Sequence, residues 1–562
     1  MRKVMKKMMV LLLSLVMVMV MLTGCKSSSE EKTPADKPSD TASDTKDGEE
    51  EAAEKEIKVG IAYEMDSLDP AQANVDVDFI VMFLAGEALV RSVEGKAVPG
   101  GAQSWEANEG NTEYTFHLRK EAAFNDGTAI TAESYKYSLL RTLDPEKAYA
   151  NTSKLSFITN ADKYAAGEAA AEEVGIEVID EYTIKITCAV PTYPISFSTV
   201  AFLPLNQEFV EAAGEQYGTE ADKVLTNGAF KITDWVHDSQ VTMVKNETYW
   251  DAEAIHLTKI DGMINATGDT AVDMMLAGDL DAVEFASAEP VGTLSDAGFS
   301  TVSYVNGYQF LNISYKGATE ETGKWLNNKN FRLALSYALD RTALVQSVYT
   351  SDIPASRLTG VTEVGADQHF NEEYPYTGWN VTQDTAKAEE YMKLAMAEMG
   401  VSSVEEIPAF TMLCFDSSNN MDALNAVADM WLKTLGIKCE IDAQPISTMV
   451  SKAVAGEFDF WKGGQAVSSL DWLDFLQGFT TEANQVYFYK DAEFDKLYNI
   501  ANTAATWKER KDAMYELEKY FCENVVDLQV TWSQSTLVFH DRVTGITINT
   551  DAMDYTYADV TE

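Results

Sequence analysis

The stretch YTFHLRKEAAFNDGTAITAESYKYSLLR, residues 114–141, determines the fold class of the chain. Its first five residues alternate between apolar and polar side chains, which predicts a half-buried strand. The Asn-Asp-Gly sequence at 125–127 is typical of a tight turn, and Thr131 is suited to cap a helix that reaches about residue 141. A strand, a turn and a helix in such close succession predict a mixed α/β fold.

The same alternation of strands and helices continues on both sides of this stretch. Apolar residues alternate with others over 57–61, which predicts the first strand, and a second strand pair surrounds the turn at 226–228. Farther along, apolar residues recur at spacings of three and four, the pattern of amphipathic helices. The predicted helices cover residues 331–349, 384–399, 421–435 and 506–521. Gly400 and Gly436 follow two of them as typical helix stops.

Cys25 ends a segment that is typical of an export signal. Basic side chains lie within residues 2–7, an apolar run covers 8–22, and Leu-Thr-Gly-Cys stands at 22–25. The segment resembles the lipobox of bacterial lipoproteins. This resemblance implies cleavage after residue 24, lipidation of Cys25, with palmitate among its acyl chains, and anchoring on the outer face of the cytoplasmic membrane, as in bacteria with one membrane. The alternative is an uncleaved anchor helix, although no cationic stop-transfer flank follows it.

Residues 25–56 carry almost no apolar side chain larger than alanine, so we expect a disordered linker there. The formal net charge of the whole chain is −46. Removal of residues 1–24 would make the charge still more negative, because that segment holds basic side chains and no acidic ones. Such a charge opposes the approach of nucleic acids and anionic lipid headgroups, which excludes them as expected partners.

The sequence contains no short motif that indicates catalysis or metal binding. The five histidines are isolated from one another, and the aspartates at 269–281 do not have the spacing of a calcium loop. We therefore predict no enzyme activity, no cofactor and no metal. The cysteines at 188, 414, 439 and 522 lack the spacing of a metal or redox motif, which leaves buried thiols or a disulfide between Cys414 and Cys439 as alternatives.

Several motifs in fixed order resemble the extracytoplasmic oligopeptide- and dipeptide-binding proteins of ABC importers, family 5 of the solute-binding proteins. The resemblance extends from residue 57 nearly to the C-terminus. The motifs are SLDP at 67–70, YTFHLR at 114–119, FNDGT at 124–128, ITAE at 130–133, TNGAF at 226–230, KN at 245–246, YWD at 249–251, RLALS at 332–336 and DR at 340–341.

The resemblance implies an α/β fold of two lobes with a ligand enclosed between them, a hinge, and an extra subdomain inserted in lobe I. By analogy, lobe I comprises residues 57–90, 178–303 and 530–562, the subdomain comprises 91–177, and lobe II comprises 304–529. It also implies closure about the hinge on ligand binding, and delivery of the ligand to an ABC permease with its ATPase subunits. A monomer is the family expectation.

Candidate ligand contacts follow from the same resemblance. Glu64 lies in the first-strand region, where similar proteins place an acid that faces the ligand; an ordinary surface carboxylate is the alternative. Arg357 could clamp a carboxylate, since a guanidinium binds one bidentately, or it could be a surface arginine. Tyr308, near the predicted entry into lobe II, could line the cleft or belong to the core.

The segment 460–476 departs from the family pattern. Similar proteins carry a tryptophan, then an aspartate that pairs with the amino terminus of the peptide, then Asp-Pro before Phe-Leu. In this chain Gln465 stands in the tryptophan position, Ser468 in the aspartate position, and Asp471 with Trp472 in place of Asp-Pro. Since a hydroxyl cannot neutralise a buried ammonium, either Asp471 or another acid replaces the missing charge, or the ligand has no free amine there.

We therefore expect a lipid-anchored receptor that captures oligopeptides without chemistry. Two alternatives remain open from the sequence. One is a receptor for a non-peptide solute such as a nickel chelate or a modified sugar, and the other is a surface adhesin or chaperone that keeps the fold but has lost transport.

Overall fold

The computed structural model describes most of the chain after the predicted linker. The described residues are 54–73, 75–93, 96–359, 370–466, 472–483, 486–548 and 553–561. The predictions for residues 1–53, including Cys25, lie outside them, as do Ser468 and Asp471.

Strands and helices alternate through the described residues. The strands are β1 Glu56–Ile61, β2 Val90–Val93, β3 Lys96–Pro99, β4 Ala102–Ala107, β5 Glu113–Leu118, β6 Ile176–Asp180, β7 Thr183–Thr187, β8 Phe230–Val236, β9 Gln240–Lys245, β10 Lys259–Ile264, β11 Ala282–Phe285, β12 Ser300–Ile313, β13 Ile353–Pro354, β14 Phe410–Phe415, β15 Cys439–Gln444, β16 Phe460–Ala466, β17 Leu528–Phe539, β18 Val543–Thr544, β19 Thr547–Ile548, β20 Met553–Asp554 and β21 Asp559–Val560. The helices are α1 Asp76–Ala85, α2 Ala132–Thr142, α3 Ala161–Ala165, α4 Gln207–Ala213, α5 Gly268–Ala277, α6 Ala288–Asp296, α7 Glu320–Asn327, α8 Lys329–Tyr337, α9 Arg341–Ser347, α10 Phe370–Glu373, α11 Thr385–Met399, α12 Ser418–Leu435, α13 Ile446–Ala455, α14 Trp472–Gln477, α15 Ala492–Asn502 and α16 Trp507–Asn524.

One sheet extends through both halves of the molecule. Within the described part of the chain, its strand order is β15-β14-β16-β12-β17-β11-β1-β10-β9-β8, and β13 pairs with β17 beside this path. Strands β12 and β17 are antiparallel along nearly their whole length and lie at the centre of the order. Because both are long, one end of each strand belongs to one half of the sheet and the other end to the second half.

Two large hydrophobic cores lie on these two halves. The first includes Tyr304 on β12 and Leu537 on β17, whereas the second includes Val305 on β12 and Trp532 on β17. We use lobe I for the chain before Val305 and after Trp532, and lobe II for the chain between them. The predicted two-lobed α/β fold with crossing strands is thus confirmed.

A separate four-stranded sheet in the order β4-β5-β7-β6 forms the subdomain of lobe I. This sheet contains β5, the strand at the start of the 114–141 stretch. Tyr114 and Phe116 on β5 are buried, and each ring packs against that of Phe197 at a centroid distance of 4.9 Å. The predicted boundary at residue 177 differs from this arrangement, because it falls inside β6. Both β6 and β7 pair within the subdomain sheet, so the sheet extends to Thr187.

The predicted helix over 331–349 is wrong in one respect, because the structure has two helices there. Helix α8 ends at Tyr337, and the backbone of Asp340 is extended before α9 begins. The Asp340 carboxylate accepts the N–H of Ala343 at 2.8 Å, which caps the new helix. The glycine stops are confirmed, since Gly400 and Gly436 follow α11 and α12 with φ of 70° and 72°.

The cysteines of the folded body are free thiols. Cys414 and Cys439 lie on neighbouring parallel strands, but Cys439 pairs with Phe410 and Cys414 pairs with Ala443. This register separates the two cysteines by four positions along the strands, about 13 Å. A disulfide requires α-carbons within about 7 Å, so the alternative of a Cys414–Cys439 bond is wrong.

Candidate functional site

The carboxyl ends of the parallel strands in both lobes face the lobe junction. In lobe I, the end of β11 pairs with the middle of β17, at Phe285 and Thr536. In lobe II, the end of β16 pairs with the middle of β12, at Ala466 and Gly307. Ligands of open α/β sheets bind outside the carboxyl ends of the strands. The candidate site is therefore the cleft between the lobes, at the crossing strands.

Glu64 lies at the cleft edge of lobe I, three residues after β1 ends. Its carboxylate accepts the indole N–H of Trp235 at 2.9 Å, the backbone N–H of Met65 at 3.0 Å and the backbone N–H of Asp238. The imidazole Nδ1 of His237 lies 3.8 Å from the same carboxylate. The Glu64 side chain remains 27% exposed. It is a carboxylate held in one orientation by lobe I, with part of its surface open to solvent.

A second carboxyl group of lobe I, Glu284 on β11, lies beside the crossing strands. The hydroxyl of Tyr304 donates to its Oε2 at 2.7 Å. Burial raises the pKa of Glu284, and hydrogen bonds from Tyr304 and Ser535 partly oppose this rise. Sequence reasoning missed this residue, although a single glutamate in the apolar strand Ala282–Phe285 was a usable signal.

Tyr308 and Trp472, two of the predicted contacts, are neighbours in lobe II. Their ring centroids are 5.6 Å apart, and the Phe475 ring lies 5.1 Å from that of Tyr308. Tyr308 is buried, whereas Trp472, the first residue of α14, is half-buried. The two rings therefore form an aromatic wall at the end of lobe II that faces the junction, with Trp472 on its solvent side.

The other predicted contacts of this segment are described only in part. Gln465 lies on β16, and its backbone pairs with that of Tyr308 on β12. Ser468 and Asp471 follow outside the described residues.

Arg357 has a partner inside lobe II. Its guanidinium donates to both carboxylate oxygens of Glu518, from Nε at 3.0 Å and from Nη2, and to the carbonyl oxygen of Tyr374 at 3.0 Å. The residue is 5% exposed. In place of a free carboxylate clamp, the structure shows a buried ion pair that fastens the loop after β13 to helix α16.

Lys462 is a buried cation that sequence reasoning missed. It lies on β16, three residues before Gln465, and is 3% exposed. Its ammonium donates to Oε1 of Gln309 and lies 5.5 Å from the centroid of the Tyr349 ring. Burial lowers the pKa of Lys462 to about 8, although the Asp352 carboxylate opposes this change. A single lysine among the apolar and glycine residues of β16 was the available signal.

Asp352 is the nearby anionic group of lobe II. Its carboxylate accepts the Thr531 hydroxyl and, at 3.4 Å, the backbone N–H of Gln534. Burial raises the pKa of Asp352 to about 6, and these hydrogen bonds partly oppose the rise. Lys462 on β16 and Asp352, the residue before β13, therefore place groups of opposite charge in lobe II.

Within the described ranges, His, Cys, Asp and Glu form no group of three or more that could hold a metal ion. Among those same ranges, no helix combines the length and the apolar character that crossing a membrane requires.

Two lobes with crossing strands, and a cleft at the carboxyl ends of both sheets, define a two-lobed binding protein. A family model described as bacterial extracellular solute-binding proteins, family 5, matches residues 96–487. The chain belongs to this family. It is a family of solute-binding proteins and not of enzymes.

Similar proteins and structures agree with this assignment. The oligopeptide-binding protein OppA of Bacillus subtilis is 26% identical over 501 residues, which cover 87% of this chain and 90% of that protein. The periplasmic oligopeptide-binding protein OppA of Salmonella typhimurium is 28% identical over 453 residues, 78% of this chain and 80% of that protein. The structure of the Escherichia coli murein tripeptide-binding protein MppA superposes with a TM-score of 0.71 at 25% identity and covers 91% of this chain and 99% of that one.

Proposed function

We propose that this protein captures oligopeptides in the cleft between its lobes and delivers them to an ABC permease. The observation that carries the proposal is the cleft itself, placed at the carboxyl ends of both sheets in a family 5 fold. Relatives over most of the chain are named as oligopeptide-binding proteins. The extra subdomain is assigned to residues 91–198 in this proposal, because β6 and β7 belong to its sheet and the segment that follows packs on that sheet through Phe197.

The described side chains offer the ammonium end of a peptide two carboxyl partners. Glu64 and Glu284 supply these carboxyl groups from lobe I, whereas the Lys462 ammonium of lobe II is buried and donates to Gln309. A peptide carries an ammonium at one end and a carboxylate at the other, and such groups bind strongly when their partners are charged and desolvated. Trp472, half-buried and packed against the buried Tyr308, provides an apolar surface for side chains of varied shape.

The most specific part of this proposal is the group that binds the amino terminus of the peptide. Asp471 is the proposed counter-charge, since Ser468 cannot neutralise an ammonium. Asp471→Asn is expected to weaken binding of trialanine by more than tenfold, about 1.4 kcal/mol. N-acetylated trialanine should bind both forms equally, because it has no ammonium. Asp429→Asn is the matched control, since its carboxylate pairs with Lys433 on the exposed face of α12.

Isothermal titration calorimetry with trialanine, trilysine and triglutamate, each free and N-acetylated, tests the function. Submillimolar binding of at least one free peptide is the expected result. If none of the six peptides binds or raises the melting temperature, peptide capture is excluded. If free and acetylated peptides bind equally, the cleft has no amine anchor at Asp471.

A non-peptide solute is the second candidate. The serine at position 468 favours it, because the usual carboxylate partner of a peptide amine is absent from that position. One relative, 23% identical over 456 residues, is named as a probable deoxycholate-binding periplasmic protein. Nickel chelates, modified sugars and bile acids in the same calorimetric assay distinguish this candidate from a peptide receptor. An adhesin or chaperone would bind none of these small solutes.

Export and lipidation complete the proposal. Residues 1–24 direct export, Cys25 receives the lipid, and the segment to residue 56 tethers a monomeric body on the outer face of the membrane near its permease. The support is the basic, apolar and Leu-Thr-Gly-Cys order of residues 2–25. Cys25→Ser should move the protein from the membrane fraction to the medium, whereas Cys439→Ser should not. Mass spectrometry of the membrane-bound form should show an acylated Cys25, and an unmodified cysteine there would refute lipidation.

A further inference from the structure

The subdomain of lobe I contacts lobe II at a place remote in sequence from the crossing strands. The rings of Tyr193 and Trp507 are stacked, with centroids 3.3 Å apart and an interplanar angle of 23°. Beside them, a β-carbon on Gly110 would lie 3.3 Å from the carbonyl oxygen of Ala505. We call the stacked pair of Tyr193 and Trp507 the aromatic latch.

Hydrogen bonds of the preceding residue, Thr192, fix the backbone next to Tyr193 to the subdomain. The backbone N–H of Thr192 donates to the carbonyl of Asn111 at 2.9 Å, and the buried hydroxyl of Tyr114 donates to the carbonyl of Thr192. The turn that contains Gly110 is closed by Asn108, whose side-chain oxygen accepts the N–H of Thr112 at 2.9 Å. Tyr193 and this turn therefore move with the subdomain sheet.

Trp507 is held equally firmly on the lobe II side, as the first residue of α16. The Thr506 hydroxyl accepts the N–H of Glu509 at 3.3 Å and caps this helix. Helix α16 ends just before β17 begins at Leu528, which pairs with Leu311 away from the lobe junction. Because α16 is about 27 Å long and returns along the sheet, its Trp507 end points back toward lobe I.

Rotation of the lobes about β12 and β17 must therefore change the latch. The two rings belong to elements packed on different cores, so any opening motion that separates these elements breaks the stack. Another cross-lobe contact, between the N–H of Ala288 and the hydroxyl of Thr350 at 3.5 Å, joins the first turn of α6 to the segment after α9. A stacked aromatic pair stabilises the arrangement that contains it beyond the area that it buries.

We propose that Tyr193 and Trp507 hold the subdomain against lobe II, and that this latch favours the lobe arrangement described here over an open one. The extra subdomain then acts on closure and not only on lobe I. The latch is independent of which solute binds. Its effect on ligand release rests on the proposed peptide function, since release requires the lobes to separate.

Disulfide trapping in the full-length chain tests the latch without a ligand. Gly110→Cys with Ala505→Cys should form a cross-link under mild oxidation, because the two backbones approach closely there. The rate of cross-linking reports how often the lobes occupy the latched arrangement. Each single cysteine variant controls for reaction with the native thiols, and a shift in mobility on a non-reducing gel measures the product.

The cross-linking rate is then compared across ring variants. Tyr193→Leu and Trp507→Leu keep apolar bulk but remove the stack, and each should slow cross-linking about twofold to tenfold. The double ring variant should be no slower than the singles. Tyr182→Ala, at a half-buried tyrosine in the turn between β6 and β7 whose ring centroid lies 5.7 Å from the Lys120 ammonium, should leave the rate unchanged. Equal rates in all backgrounds, or no cross-link in the parent pair, would overturn the proposal.

A second measurement separates the latch from the proposed function. Trialanine release, followed by stopped-flow fluorescence, should be about twofold to tenfold faster in Trp507→Leu than in the parent chain. If trialanine binds the parent but its release is unchanged in this variant, the latch does not control release. If no peptide binds the parent, the peptide proposal fails, while the cross-linking rates still decide whether the latch exists.

Discussion

Arg357→Ala should destabilise lobe II without weakening ligand binding. The Arg357 guanidinium and the Glu518 carboxylate are 6% and 2% exposed as side chains, so the substitution leaves a buried charge without its cation. Removing one partner of a buried pair costs about 3–5 kcal/mol. Thr359 continues to donate to Glu518 from its N–H and hydroxyl, both at 2.9 Å, which favours a loss near 3 kcal/mol.

Urea unfolding, followed by circular dichroism and by tryptophan fluorescence, measures this loss. Arg357→Met with Glu518→Leu should recover most of it, since an apolar pair of similar volume often replaces a buried ion pair without loss. Lys433→Ala is the control, because its partner Asp429 and the lysine itself are exposed, and it should change the free energy of unfolding by less than about 1 kcal/mol.

The opposite pattern would refute the reasoning. If Arg357→Ala lost less than about 1 kcal/mol of stability and trialanine affinity fell by tenfold or more, Arg357 would be a ligand clamp and the contact with Glu518 would be incidental. The predicted pattern leaves affinity within twofold wherever the variant is folded. Calorimetry at a temperature well below the unfolding transition makes that comparison.

The remaining predictions concern a helix cap, two glycines and a buried lysine. Asp340→Ala should lower the free energy of unfolding by about 1 kcal/mol through loss of the α9 cap, and no loss in urea unfolding would contradict this role. Gly228→Ala should cost about 2 kcal/mol, because its β-carbon would lie 2.4 Å from the carbonyl carbon of Ala85. Gly292→Ala in α6, with open space around it, should instead gain up to about 1 kcal/mol, and equal thermal shifts would refute the contrast. The pKa of Lys462 is about 8 in the folded protein, below its usual 10.5, so the unfolded state binds more protons between pH 8 and pH 10.5. The free energy of unfolding should therefore rise by about 3 kcal/mol over this pH range. This rise should vanish in Lys462→Met.

The sequence predicted most elements because their signals were local. Thr131 precedes α2, and the helix that follows Asp384 ends at Met399, as the apolar spacing indicated. The break at Asp340 was missed because the apolar spacing continues through it, and only the extended backbone there shows that the aspartate caps a second helix. The predicted end of the subdomain at residue 177 was wrong because β6 pairs with β7 in the subdomain sheet. Such pairing depends on the tertiary structure, which local sequence patterns do not reveal.

The candidate site was harder to predict than the fold. Trp472 was expected from its place in the family pattern, and Tyr308 was expected near the entry into lobe II, either lining the cleft or in the core. The structure buries Tyr308 in the core of lobe II and packs the two rings together. The sequence suggested a ligand carboxylate as the partner of Arg357, because Glu518 is remote from it in sequence. The packing of α16 brings the Glu518 carboxylate to the Arg357 guanidinium. Glu284 and Lys462 were missed since a single charged residue in an apolar strand does not reveal whether it faces a cleft or a neighbouring strand.

The motifs that identify the family mainly make hydrogen bonds within the protein, and we call these contacts the internal joints. The Asp69 carboxylate of SLDP binds both terminal nitrogens of Arg141 at 2.8 and 2.7 Å, and the Asn227 side chain of TNGAF exchanges hydrogen bonds with the backbone of Glu87 at 3.0 Å. Arg332 of RLALS donates to carbonyl groups at the end of α16. These side chains are engaged with other parts of the protein, so their role is to specify the fold.

We therefore expect selection to depend on positions outside these joints, among them the segment 460–476, where the sequence departs from the pattern that the family resemblance implies. Strand β16 carries Gln465 to the cleft edge, and Ser468 and Asp471 follow it in sequence. A change of charge in this segment alters the ligand while leaving the joints intact. From the family resemblance we expect that exchanging Ser468 for aspartate will strengthen binding of free peptide amines by about tenfold without changing the melting temperature of the unliganded protein. Unchanged affinity for trialanine would show that the amine is held elsewhere.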